Sequence, residues 1–169
     1  KPRIIRSSKT SVSILSGKET QEDLDFLMRD IFLYFGLGCR NVSKIYIPKS
    51  YDVEILKGHF SHFKYYLNNN IYFDNYRYFK TNFRLQKTSF LDFESILLVE
   101  SKNFFSPLSV LFYEHYNNVS EISIDFQKIQ CVVSHYSIFV NSISFGCSQN
   151  PTLFDYADNI DTIDFLLNN

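Results

Sequence analysis

The chain has 169 residues, 45% of them apolar and 18% aromatic, with 17 Lys and Arg against 18 Asp and Glu. That is one domain's worth of chain, able to bury roughly 70% of the surface its unfolded form exposes, so a core needs neither metals nor disulfides. A net charge of −1 with no basic run speaks against nucleic-acid binding, and no apolar stretch reaches the ~18–20 residues of a bilayer span.

The cysteines are Cys39, Cys131 and Cys147, an odd number without CxxC or Cys/His spacing. This argues against a disulfide framework or a zinc site and for reduced thiols in a cytoplasmic protein. The chain opens on Lys1, not Met, with no signal-peptide pattern, and is read as a trimmed piece of a longer protein. The short basic start, Lys1 to Arg6, reads as a connection into the first strand.

Residues 11–16 alternate and favour a strand, which Gly17 breaks. Thr20 is a natural N-cap, with Glu22 and Asp23 in the first turn. Leu24, Leu27, Met28, Ile31, Phe32 and Phe35 then recur at helical spacing, up to Gly36 and Gly38. Residues 44–47 form a second strand, stopped by Pro48. A helix is expected over 51–66, broken by Asn68, Asn69 and Asn70, and a second over the aromatic run 72–83. Strands follow at 95–100 and 108–113, a short helix at 119–126, and buried strands at 129–133 and 137–141. A polar turn at 155–161 and a short element at 162–167 close the chain. The alternation predicts an α/β domain over 1–169, three-layer αβα with a largely parallel sheet.

The most informative stretch is Gly36-Leu37-Gly38-Cys39-Arg40-Asn41, where a helix runs through two glycines into a cysteine and then a strand. Glycines allow positive φ and close approach, so such a cysteine can stand at a cleft. Thiolate is the reactive form, and Arg40 is placed to favour it. Cysteine is otherwise among the most buried residue types and an inert filler.

Gly38-Cys39-Arg40-Asn41 with its following strand resembles the catalytic-cysteine segment of the aldehyde dehydrogenase superfamily. Residues 11–17 and the acidic 19–23 resemble the strand and helix start upstream of that cysteine. Phe104-Phe105-Ser106-Pro107 resembles the family's Phe-Gly-Pro segment, and Ile138-Phe139-Val140-Asn141 with Phe145-Gly146 resembles its C-terminal part. The acyl-CoA reductase branch is the nearest, through 35–44, Ser106-Pro107, Phe145 to Gln149, Asp155-Tyr156-Ala157-Asp158 and Asp161-Thr162. The resemblance spans nearly the whole chain and is most specific at the cysteine.

That resemblance implies an aldehyde-dehydrogenase-like catalytic domain that reduces a fatty acyl-CoA to an aldehyde through a thioester on Cys39. It implies loop and oxyanion roles for Gly38, Arg40 and Asn41. It places Phe105, Ser106 and Pro107 beside a nicotinamide cofactor, NADPH or NADH, and Phe145, Gly146 and Gln149 beside substrate. No glycine-rich phosphate loop follows a predicted strand, so the nucleotide-binding domain is expected N-terminal to Lys1. A homo-oligomer is left open. Two family glutamates are missing: residues 5–9 read Ile-Arg-Ser-Ser-Lys, and the second position falls at Asn103. Without a base to activate water, a thioester can survive until hydride arrives.

Two other readings stand beside this one: a binding or assembly module with a buried, inert Cys39, and a self-contained cysteine acyltransferase or hydrolase. The latter would need a His and a carboxylate at Cys39. His59 and His62 lie three apart on one expected helix with no further ligands spaced to join them. Cys131 sits in an apolar strand pattern and reads as core, and Cys147 reads as a bystander thiol. Asp155, Asp158, Asp161 and Asp164 read as capping and solvated groups. The basic-aromatic run 65–83 reads as a packed helix or a partner surface.

Overall fold

A computed structural model describes residues 2–136, 139 and 142–168. It is an α/β domain built on a seven-stranded sheet of order β3-β4-β5-β2-β1-β6-β7. The strands are β1 (Thr10–Ile14), β2 (Val42–Pro48), β3 (Leu91–Asp92), β4 (Leu97–Glu100), β5 (Val110–Tyr116), β6 (Ile129–Val133) and β7 (Ser142–Ile143). All pairings are parallel except β3 with β4. The central strands are buried on both faces, as parallel sheets require.

The two faces follow from strand alternation. On one, Ile45, Ile47, Leu98 and Leu111 meet α1 (Gln21–Phe32) and α2 (Lys57–Ser61) in the main core. On the other, Leu97, Val99 and Val110 meet Tyr76, Phe79 and Phe83 of α3 (Asn70–Leu85). Val12, Ile14, Tyr46 and Val132 continue that second face beneath Ile122, Ile124 and Phe126. A short helix, α4 (Thr162–Asn168), ends the chain with Ile163, Leu166 and Leu167 exposed.

α1 starts where its cap predicts. Thr20 and Asp23 form a reciprocal capping box, each side chain accepting from the other's backbone N–H at 3.2 and 2.9 Å. The expected helix reached Phe35, but α1 stops at Phe32 because Tyr34, Phe35 and Gly36 take φ of 54°, 58° and 71°.

The expected helix over 51–66 is instead a 3₁₀ turn (Val53–Leu56), the five-residue α2 and a second 3₁₀ turn (Lys64–Asn68). Phe60, Phe63 and Tyr66 recur every three residues and all pack on Phe32, with ring centroids 5.8, 4.6 and 5.3 Å away. A spacing of three falls on one face of an α-helix and a 3₁₀ turn alike, so it does not tell them apart. The Asn run does end this stretch, and Asn69 caps α3 by accepting from the Tyr72 N–H at 3.1 Å.

The expected helix over 119–126 is only a 3₁₀ turn, Val119–Glu121. Ile122, Ile124 and Phe126 follow a period of two, which presents them to the sheet from extended chain. The strand expected from 108 begins at Val110 and runs on to Tyr116. Of the strand expected at 137–141, residues 137, 138, 140 and 141 lie outside those described, and β7 begins at Ser142.

The antiparallel corner at β3 is pinned by Asp92, whose carboxylate accepts from the Tyr76 hydroxyl and pairs with Lys80, both at 2.6 Å. Desolvation acts to raise its pKa, but Lys80, Tyr76 and the Glu94 N–H outweigh it and hold the carboxyl below its ordinary value of 3.8. A carboxyl depressed in the folded state adds stability above its unfolded pKa and loses it as pH falls through the folded one. Asp92→Asn should therefore lower the urea midpoint at pH 7, with the gap to the parent closing below about pH 4. Urea titrations between pH 7 and pH 3 check this.

Candidate functional site

The turn between α1 and β2 carries Cys39 at the amino edge of the parallel strands. Asn41, only 1% exposed, organises it. Its side-chain amide nitrogen donates to the carbonyls of Asp30, Ile31 and Leu33 at 3.1, 3.4 and 2.7 Å. The last helical carbonyls, otherwise orphaned, thus find a donor. Its side-chain oxygen accepts from the Gly38 N–H at 2.8 Å, and its backbone N–H donates to the Gly38 carbonyl at 3.0 Å. Both glycines of the turn have a reason to be glycine. Gly36 needs its positive φ, and a Cβ at Gly38 would stand 2.9 Å from the Asn41 oxygen.

The Cys39 carbonyl is held from β1, where the buried Ser11 hydroxyl donates to it at 3.0 Å. Cys39 as a residue is exposed. Arg40 reaches across to the C-terminal segment, donating to the carbonyls of Ser148 and Asp155 at 3.4 Å each. The turn is therefore fixed from the helix, the central strand and the tail, while its cysteine stays open.

The other segments singled out in the sequence converge on the same edge. Ser43, two residues after Asn41, donates from its hydroxyl to the Phe104 carbonyl at 2.6 Å. Ser106 and Pro107 line a cavity of about 20 Å³ with Phe35, Gly36, Val42 and Tyr72, and Phe105 is 45% exposed. That cavity holds about one water and no acyl chain. Phe145 and Gly146 lie on α1: Phe145 belongs to the main core, and a Cβ on Gly146 (φ 79°) would meet the Phe26 ring at 3.0 Å. Gln149 has its side-chain nitrogen buried without a partner among the described residues.

Sequence reasoning missed Asp30. It sits on the buried arc of α1 at 1% exposure, and its carboxylate accepts from the Gly146 N–H at 2.7 Å and the Ser148 N–H and hydroxyl at 3.1 and 2.6 Å. Burial pushes its carboxyl above the usual range, against the pull of these three donors. The available signal was a charge three residues beyond Leu27 on an apolar stripe, where an unpartnered carboxylate would not be tolerated.

A second polar feature lies on the opposite face of the sheet. Lys44, fully buried, pairs with Glu114 at 2.5 Å, donates to the Lys102 carbonyl at 3.1 Å, and stands 4.7 and 5.3 Å from the Tyr46 and Phe104 ring centres. Glu114, Tyr46, Phe104 and His115 border a cleft of about 340 Å³ there. The lysine is satisfied by these partners, which accounts for its burial.

The remaining residues take quiet roles. Cys131 is core, its thiol pushed up to about 11 by burial although the Ser11 hydroxyl lies 3.0 Å away. Cys147 is exposed. His59 pairs with Asp25 at 2.6 Å and His135 with Asp23 at 3.1 Å, both at the start of α1. That is about 10 Å along the helix from the end that leads to Cys39. Asp155 accepts from Thr152, Asp158 pairs with Arg6 at 3.3 Å, and Asp161 caps α4 through the N–H groups of Ile163 and Asp164. No group of three or more His, Cys, Asp and Glu fit for a metal occurs among the described residues. None of their helices is long and apolar enough to cross a membrane.

Asn41→Ala should cost about 2–3 kcal/mol, because it removes several buried hydrogen bonds and strands the helix-end carbonyls. Chemical denaturation at neutral pH measures this, and a loss below about 0.5 kcal/mol would remove Asn41 from its organising role. Compared with known proteins, the chain matches no protein-family model and no curated protein.

Proposed function

We propose that this chain is the cysteine-bearing half of an acyl-CoA reductase, in which Cys39 carries the acyl group as a thioester. The observation that carries the reading is an exposed cysteine in a turn fixed from three elements. A nucleophile held in this way meets a carbonyl with little loss of freedom at the moment of attack.

The Cys39 sulfur attacks the thioester carbonyl, its bond to carbon forms, and the bond to the CoA sulfur breaks. The thiol proton leaves with CoA. The Gly38 and Asn41 N–H groups are engaged within the turn, against the oxyanion role expected of them, so stabilising the oxyanion falls to the backbone N–H groups of Cys39 and Arg40. A reduced nicotinamide cofactor, when bound, would supply hydride to the acyl carbon. Cys39 would hold that carbon until then and leave as the thiolate as the aldehyde departs.

The residues present fit only the edge of such a cofactor. Ser106 and Pro107 line the small cavity beside Phe35 and Gly36 of the turn, whereas the exposed Phe105 borders a separate cleft with Lys102 and Lys128. The main cofactor surface falls to a nucleotide-binding domain outside this chain. Tyr34 and Leu37, 68% and 70% exposed on the turn, supply apolar surface for an acyl chain. With a 20 Å³ cavity on this side, the opposite wall of an acyl channel falls to that same domain.

The hydrolase alternative gains nothing from the geometry. His59 and His135 are engaged with carboxylates at the far end of α1. An acyl-enzyme without a base beside it resists water and waits for hydride. The inert-module alternative needs a buried thiol, and Cys39 is exposed.

In the full-length protein, Cys39→Ala should lower NADPH-dependent aldehyde formation from a long-chain acyl-CoA by about 10³-fold or more, while the thermal midpoint stays close to the parent's. Persistent aldehyde output from this variant would reject the assignment.

A further inference from the structure

We propose that Asp30 is a positioning residue that locks the 145–149 segment against the cysteine turn and so shapes the seat of the acyl thioester. The inference rests on the reductase reading for its catalytic consequence, but the tether is read from geometry alone.

α1 presents Phe26 and Asp30 one turn apart on the same face. Gly146 lies over the Phe26 ring, and its N–H donates to one Asp30 oxygen at 2.7 Å. Ser148 donates to the other oxygen twice, at 3.1 Å from its N–H and 2.6 Å from its hydroxyl. The Ser148 carbonyl accepts from Arg40, next to Cys39, at 3.4 Å. The Asp30 carbonyl in turn accepts from Asn41 at 3.1 Å. These bonds close a circuit from Asp30 through Asn41 and Arg40 to Ser148 and back. One buried residue thus sets both the turn that bears the thiol and the segment beside it. A carboxylate suits this task because it offers acceptors only, to three donors that converge from one loop. Asparagine has the same shape but a single acceptor oxygen, so at least one backbone N–H of the loop must lose its partner.

The test uses the full-length protein with Asp30→Asn and the milder Ser148→Ala. Hydrogen exchange at Gly146 and Ser148 should quicken by about tenfold or more in Asp30→Asn, with α1 and β2 protected as in the parent. The KM for a long-chain acyl-CoA should rise about tenfold with kcat within about threefold, and Ser148→Ala should raise KM about threefold. A fold defect would move the melting temperature and lower active protein without this split between KM and kcat. Unchanged exchange at both amides would overturn the tether. Faster exchange with unchanged KM in both variants would overturn the positioning role. If the parent protein forms no aldehyde at all, the reductase reading falls, and the exchange data still decide the tether.

Discussion

One buried side-chain amide decides how α1 ends. Asn41 gathers the carbonyls of Asp30, Ile31 and Leu33 with one nitrogen and the Gly38 N–H with its oxygen. A helix ending on a buried edge must satisfy its last carbonyls, and Asn41 does so from outside the helix. With that need met, residues 34–36 can turn left-handed, at a cost of about 1 kcal/mol for each non-glycine residue so placed. Cys39, an exposed residue, is then delivered to the start of β2 with its carbonyl fixed by Ser11. Loss of this amide would affect helix end, turn and strand start together, since all three share it.

The two faces of the sheet treat charge differently. On the face covered by α1, Asp30 joins distant backbone into one loop assembly around the turn. On the other, Lys44 and Glu114 neutralise each other under the Phe104 ring. The first arrangement adjoins a turn whose Cys39 is exposed, whereas the second ends in a pair whose needs are met internally. The proposed site therefore lies at the amino edge of the strands, although open α/β sheets usually bind ligands at the carboxyl ends. A cysteine turn between a helix and the next strand arises at the amino edge, because α1 runs back down the sheet before β2 begins.

The parts legible in the sequence were those governed by a regular period. Leu24, Leu27, Met28, Ile31 and Phe32 announced α1, the capping pair fixed its first residue, and apolar runs marked β2, β5 and β6. Residues 51–66 misled because Phe60, Phe63 and Tyr66 converge on one ring from a chain of short α and 3₁₀ turns, a tertiary demand that their count of aromatics did not reveal. Ile122, Ile124 and Phe126 carried a strand-like period inside a stretch too short to pair, which made it look helical by composition. At the site, Gly36, Gly38 and Cys39 marked the turn, and Gly146 its neighbour. The partner of Gly146, Asp30, lies 116 residues away, and such a long-range bond leaves no local trace. Asn41 was placed in the loop but not as the group that ends the helix, because its partners are backbone atoms that every residue has.

The account turns on Cys39 being the sulfur that bonds to the acyl carbon. The most direct measurement is peptide-level mass spectrometry of the full-length protein after incubation with a long-chain acyl-CoA in the absence of reduced cofactor. The account predicts one acyl adduct, on the peptide containing Cys39 and removable by hydroxylamine, with Cys131 and Cys147 unmodified. An adduct confined to Cys147, or none on a Cys39 that still alkylates in the native protein, would contradict it.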